Sequence, residues 1–125
     1  MGGIDSRGMN QNLRTRIYVA GPISVGDIDA HVKKAIDVGN LLIEKGYAPF
    51  VPHLDIFADR AGLAGTHRYE CSLEVDFSFI SVCDALLRLP GYSKGADREV
   101  HWAKSIGVPV YYTVEELLAC VEPRG

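Results

Sequence analysis

Four short β-prone runs alternate with helix-length segments along this chain, and no feature constrains its fold more. Ile17-Tyr18-Val19-Ala20 is stopped by Gly21-Pro22, and Tyr47 to Val51 by Pro52. Ala85 to Leu89 is stopped by Pro90-Gly91, and Val108 to Tyr112 is the fourth run. Short apolar runs bounded by such breakers read as buried strands. Asp27 or Asp29 caps a first helix with Ile28, Val32, Ile36, Leu41, Leu42 and Ile43 on one broad face, and Gly46 closes it. Tyr69 to Val82 carries Leu73, Phe77 and Ile80 at helical spacing. Ala96 to Ser105 predicts a third helix, closed by Gly107. Thr113 and Glu116 form a capping box for a last helix over Val114 to Val121. Leu54 to Arg68 has no firm period and reads as a loop with one helical turn.

Strands that alternate with helices imply a parallel sheet covered on both faces. Right-handed crossovers then favour a doubly wound, flavodoxin- or Rossmann-like α/β sheet of four to five strands, with strand one beside strand three. Residues 16–122 form one domain. Residues 1–15 are polar and glycine-rich, and are expected to be disordered or an appended segment.

Composition narrows the function classes. Hydrophobic residues make up 47% and charged residues 23%, as in ordinary globular domains. A net charge of −3 argues against a general nucleic-acid binder. Three cysteines with no C-x-x-C pair argue against a disulfide framework and for a reducing, cytoplasmic setting, with the thiols as buried packing residues. No apolar run is long enough to span a membrane, and the first residues lack a signal peptide's apolar core.

Ligands of open α/β sheets bind beyond the carboxyl ends of the strands, where strand order reverses. Two loops meet there: Gly21-Pro22-Ile23-Ser24, and Pro90-Gly91-Tyr92-Ser93-Lys94-Gly95. Taken singly, each loop's glycines serve tight turns as readily as a ligand. Together they point to a phosphate or sugar site, because such loops aim backbone N–H groups at anions. Glu99 falls in the first turn of the helix after Gly95, where the helix dipole favours the ionised form a nucleophile needs. The bland alternative is a dipole-balancing Glu. Asp97 and Arg98 read as solvated or paired on the surface. Asp76 either points into the site or lies on the wet face of its helix. His53 either reaches the same cleft or is a structural hydrogen-bonder. Asp84 is expected to end the preceding helix, and His67-Arg68-Tyr69-Glu70 to cover the site or solvate a helix end. No His, Cys, Asp or Glu spacing fits a metal site, and no cofactor is expected.

Ile17-Tyr18-Val19-Ala20-Gly21-Pro22, the stretch around Asp76, Cys83-Asp84-Ala85-Leu86-Leu87 and above all Gly91-Tyr92-Ser93-Lys94-Gly95-Ala96-Asp97-Arg98-Glu99 resemble the nucleoside 2-deoxyribosyltransferase superfamily. The resemblance runs from about Arg16 to Tyr112, and its most specific element is Ser-x-Gly-x-x-x-Glu followed by Ala103. It implies that Glu99 attacks the anomeric carbon and that Asp76 assists the leaving base. It further implies that Ser93, with Gly21, Pro22, Ile23, Ser24, Lys94 and Gly95, holds a 5′-phosphate. Tyr18 and His53 would line the sugar and base pocket. A Ser at position 93 tilts the expectation towards nucleotides, because a carboxylate there would repel the phosphate. The expected activity is hydrolysis of a (deoxy)nucleoside 5′-monophosphate through a glycosyl-Glu99 ester, by a homodimer. The alternatives are base exchange by a transferase, a non-catalytic nucleotide sensor, and a relative acting on ribosyl or NAD-like substrates.

Overall fold

The computed structural model describes residues 13–23, 25–54 and 69–124, without the side chains of 54 and 69–72. Expectations placed on Ser24, on 55–68, on the cover at 67–70 and on the first twelve residues lie outside the described residues.

The strands are β1 (Arg16–Ala20), β2 (Ala48–Phe50), β3 (Ala85–Arg88) and β4 (Val110–Tyr111). The helices are α1 (Ile28–Glu44), α2 (Tyr69–Ile80), α3 (Lys94–Ser105) and α4 (Val114–Cys120). A 3-10 turn, Pro52–Leu54, follows β2. All strand pairs are parallel, in the order β2-β1-β3-β4. This is the expected α/β doubly wound sheet, with four strands. Strand order reverses between β1 and β3, which pair from Ile17–Ala85 to Ala20–Arg88.

Alternation along the strands divides the core into two layers. Ile17, Val19, Ala85, Leu87 and Leu89 meet Ala35 and Leu42 of α1 and Leu117 of α4. Tyr18, Ala20 and Leu86 face the other way, against Ile80 of α2 and Ala96 and Ala103 of α3. Both faces of the sheet are therefore covered.

Several local expectations shift. Asp27, not Asp29, caps α1, accepting from Ala30 N at 3.1 Å. The buried stripe of α1 is Val32, Ala35, Gly39 and Leu42, whereas Ile43 is half exposed. Small residues let the helix lie close to the sheet, and a Cβ on Gly39 would sit 3.2 Å from Val51. Helix α3 starts two residues before Ala96, because Ser93 caps it by accepting from Ala96 N at 3.0 Å. Thr113 caps α4, while the Glu116 carboxylate accepts from Tyr112 N rather than from the cap's own N–H. Asp84 does not end α2. Its Oδ2 accepts from Arg16 N at 2.8 Å and ties β1 to β3 at the amino end of the sheet. Cys83 is half buried, but Cys120 is exposed rather than a packing residue; both are free thiols. The fold also takes in Arg14, whose guanidinium donates to the Ile43 and Tyr47 carbonyls, and Thr15. No described helix is long and apolar enough to cross a membrane.

Candidate active site

Two polar clusters stand at the carboxyl end of the sheet, on opposite sides of the loop after β1. The first is built on the α2–α3 side. Tyr18 is fully buried because it is the middle residue of a central strand. Its ring stacks on Phe50 at 5.5 Å, and Phe50 stacks on Phe79 of α2 at 4.7 Å. So held, the Tyr18 hydroxyl donates to Glu99 Oε2 at 2.9 Å. Glu99 lies on the inner face of α3 between Ala96 and Ala103, and is only 6% exposed. Asp76 is half buried on α2, and its carboxyl is hydrogen-bonded to that of Glu99. Stacking of Phe77 on Trp102 at 5.1 Å and donation from Trp102 Nε1 to the Phe77 carbonyl fix the two helices side by side.

Electrostatics in this cluster differ from the sequence expectation. Glu99 is the sixth residue of α3, beyond the first turn, where the helix dipole fades. Burial dominates instead. It pushes the Glu99 carboxyl up to about 8, with the charge and hydrogen bond of Asp76 acting in the same direction. The Tyr18 hydroxyl and the Arg88 charge oppose the shift. Two carboxyl groups in contact, one of them buried, cannot both ionise cheaply and are disposed to share a proton. Glu99 is the member of the pair whose carboxyl is raised. Asp76 thus points inward, which settles its two readings.

The second cluster is on the α1 side. His53, in the 3-10 turn after β2, is 1% exposed, and neither ring nitrogen has a hydrogen-bond partner. Among the described residues its nearest acceptor is the Pro22 carbonyl, which it meets without a well-formed hydrogen bond. Burial lowers its pKa to about 4, with the Pro22 carbonyl opposing and His31 adding to the effect. The imidazole lies against Gly21, where an added Cβ would sit 3.4 Å from Nε2. His31 Nε2 is 2.6 Å from the Val25 carbonyl, to which it donates.

The two loops between these clusters touch. Gly91 has φ +116°, and a Cβ there would lie 2.7 Å from Pro22 Cγ. Gly21 and Pro22 are buried and Ile23 is half buried. Ser93 is half buried, and its capping role leaves its hydroxyl hydrogen free to donate outward. Gly95 is the second residue of α3. Lys94 is exposed and lines a groove of about 330 Å³ on the outer side of α2 and α3, with Phe77, Asp97, Arg98, His101 and Trp102. Among the described residues no three His, Cys, Asp or Glu side chains are arranged to hold a metal ion.

Comparison with known proteins supports this frame. A family model described as "Domain of unknown function (DUF4406)" matches residues 15–112. The chain belongs to the DUF4406 family. No curated protein matches the sequence. Among solved structures, a 2-desoxiribosyltransferase from Leishmania mexicana shares the fold at TM-score 0.56 and 24% identity, over 77% of this chain and 61% of that one. The DUF4406 chain thus spans less than two thirds of that enzyme's length. A CMP N-glycosidase from Clostridium botulinum aligns at TM-score 0.51 and 20% identity, over 86% of this chain and 83% of that one. The Rossmann-like fold of the nucleoside 2-deoxyribosyltransferase-like proteins is therefore the fold of this DUF4406 chain.

Tyr18, Asp76 and Glu99 come together as one constellation, while His53 stands apart from it with Gly21 and Pro22. One participant was missed. Arg88 ends β3, is 8% exposed and bears on Glu99 electrostatically. It was legible as the lone charge in Ala85-Leu86-Leu87-Arg88-Leu89, on the same side of the strand as Leu86.

Proposed function

We propose that this DUF4406 chain is an enzyme that cleaves the N-glycosidic bond of a (deoxy)nucleoside 5′-monophosphate, releasing free base and sugar 5-phosphate. The observation that carries this reading is the contact of buried Glu99, held by the Tyr18 hydroxyl, with half-buried Asp76 at the switch point of the sheet. A binding module has little use for a carboxyl pair disposed to share one proton. A glycosidase needs one carboxylate as nucleophile and one carboxyl as acid, the same proton count.

The chemistry follows from that count. Substrate binding moves the shared proton from Glu99 to Asp76. The Tyr18 hydroxyl and the Arg88 charge favour this ionised form of Glu99. A Glu99 carboxylate oxygen then bonds to C1′ as the C1′–N bond breaks, and the Asp76 proton goes to the departing base. Water next attacks C1′, Asp76 takes its proton, and the ester to Glu99 breaks. Configuration at C1′ is retained after two displacements. A 2′-deoxy sugar lacks an electron-withdrawing hydroxyl, so its oxocarbenium-like transition state forms more easily.

The phosphate is assigned to the rim of the cleft. The Ser93 hydroxyl and the backbone N–H groups of Gly21 and Ile23 would donate to it, with the N-terminal end of α3 and Lys94 adding positive potential. His53, neutral and unpartnered, would bond the sugar or base. The fold likeness to a CMP N-glycosidase agrees with a nucleotide substrate, and that to a 2-desoxiribosyltransferase favours base exchange as the second reading. The homodimer implied by the resemblance would bury Val75, Phe79 and Val82, all exposed on the α2 side; sedimentation velocity reads it.

Chromatographic product analysis tests the function. Deoxy- and ribonucleoside 5′-monophosphates are incubated with the protein, with and without a free acceptor base, beside Glu99→Ala. Free base and sugar 5-phosphate from the unmodified chain alone are the expected outcome. A new nucleoside 5′-monophosphate appearing only with acceptor base would replace hydrolysis by transfer. Binding without turnover across the panel would replace both by a sensor.

A further inference from the structure

Arg88 joins the two halves of the site. It pairs in register with Ala20 of β1, so it stands at the carboxyl edge of the sheet on the side of Tyr18 and Glu99. Its guanidinium is almost out of solvent, and the structure gives it three partners. Nη1 donates to the Leu89 carbonyl, and Nη2 donates to the Gly91 carbonyl and to Asp97 Oδ1, each at 3.0 Å. One planar group thus spans from the end of β3 to the first turn of α3, across the loop that presents Ser93. That loop in turn rests on the other: Gly91 abuts Pro22, and Leu89 abuts Gly21.

A salt bridge to Asp97 is a poor reason by itself to bury an arginine. The Asp97 side chain is 66% exposed, and pairs of that kind contribute little. Two backbone carbonyls that the strand and helix leave unpaired are a better reason, because a guanidinium fork satisfies both while fixing their separation. The charge then remains permanently beside the carboxyl pair, since arginine does not deprotonate.

We infer that Arg88 is a positioning residue of the site proposed above: it clamps the Ser93 loop onto α3 and the β1 loop, and holds a fixed positive charge on the Tyr18 and Glu99 side of the sheet. It acts through Ser93 and Glu99 and does not touch substrate. The inference rests on that site but not on any particular reaction. The other groups facing Glu99 are Asp76 from α2 and the Tyr18 hydroxyl from β1, so Arg88 is the cation that β3 contributes.

The test uses the side-chain carboxyl carbon of Glu99, followed by NMR across a pH titration in the unmodified chain, Arg88→Lys and Arg88→Met. Hydrogen exchange of amides 91–97 is read alongside. Arg88→Met is expected to raise the Glu99 midpoint by about one pH unit, as loss of a nearby opposite charge does. Arg88→Lys keeps the charge and is expected to hold the midpoint, while exchange in the loop rises about tenfold or more in both variants, as local opening does when its ties are cut. Asp97→Asn provides a version in which Arg88 stays, and its midpoint is not expected to rise. Where Arg88→Met does not fold, the Lys and Asn variants still decide: slow loop exchange unchanged in Arg88→Lys would overturn the clamp. An unmoved midpoint in folded Arg88→Met would overturn the electrostatic role. Neither readout depends on turnover, so failure of the glycosidase reading leaves this test standing.

Discussion

The two ends of the sheet satisfy their polar groups in opposite ways. At the amino end, Asp84 accepts from Arg16 N and pairs with Arg124, and Thr15 Oγ1 donates to the Glu122 carbonyl while accepting from Arg124 N. The Tyr47 hydroxyl donates to the Val121 carbonyl. The tail after α4 is thereby strapped across the strand starts. At the carboxyl end the bonds are incomplete or in conflict. The Glu99 carboxyl is buried against that of Asp76, and among the described residues neither nitrogen of buried His53 has a well-formed hydrogen bond. Buried polar groups are normally satisfied, and an unsatisfied one costs stability. The amino end is built for stability, and the carboxyl end gives some of it up for a site that a ligand can complete.

The largest expected effect lies at the carboxyl end. Glu99→Gln should reduce turnover on a confirmed substrate on the order of 10³-fold or more, the scale of losing a nucleophile, while the protein stays folded. Stability should even improve in alkali. Glu99 titrates near 8 in the fold against 4.5 as its ordinary value, so the folded state binds the extra proton. Its contribution therefore falls as pH rises from about 4.5 to about 8, by at most about 1.4 kcal/mol per pH unit. Thermal melts of Glu99→Gln across that range should lack this decline. A parallel decline in both proteins would separate Glu99 from it.

Gly91→Ala sits where the loops touch. Both a left-handed backbone and the contact with Pro22 oppose a Cβ. A loss of about 1–3 kcal/mol in urea unfolding is expected, together with weaker nucleotide binding. Full stability would mean that the loops are not packed as described.

Asp84→Ala probes the amino end. It removes the acceptor for Arg16 N and should cost about 1 kcal/mol, with Glu99's titration and any turnover unchanged. A change in the site would couple the two ends and break the contrast.

The smallest stability effect belongs to His53→Leu. The ring makes no hydrogen bond to lose, so the midpoint of unfolding near neutral pH should move little or rise. Substrate affinity should drop about tenfold, the scale of one hydrogen bond. Acid behaviour reverses in sign from that of Glu99. His53 titrates near 4 in the fold against 6.5 ordinarily, so its neutral burial contributes stability above about 6.5 that is lost as pH falls towards 4. His53→Leu should flatten that acid limb. A marked loss of stability at pH 7 would make His53 structural after all.

Strand order and the switch point were readable from the chain, because they follow from breakers such as Gly21-Pro22 and Pro90-Gly91, whereas the pairing of Glu99 with Asp76 was implied only by the family resemblance. What escaped depends on contacts between distant segments. The acidity of Glu99 was assigned from its place in a helix, but burial against β1 and contact with Asp76 outweigh a fading dipole. Ile43 belonged to the apolar pattern of α1, yet it stays half exposed, while Ala35 and Gly39 join Val32 and Leu42 in the buried stripe and let the helix approach the sheet closely. The start of α3 was placed at Ala96, but the Ser93 hydroxyl caps the helix and it begins at Lys94. That His53 lacks a partner, and that Arg88 finds three, is visible only in three dimensions.

The central claim is that Glu99 bonds covalently to the sugar. Mass spectrometry of rapidly quenched, protease-digested protein, mixed with a nucleotide from which it releases base, tests this directly. The account expects a sugar-phosphate adduct on the peptide containing Glu99, absent in Glu99→Gln. Steady base release with no adduct at any quench time, and continued release by Glu99→Gln, would contradict it.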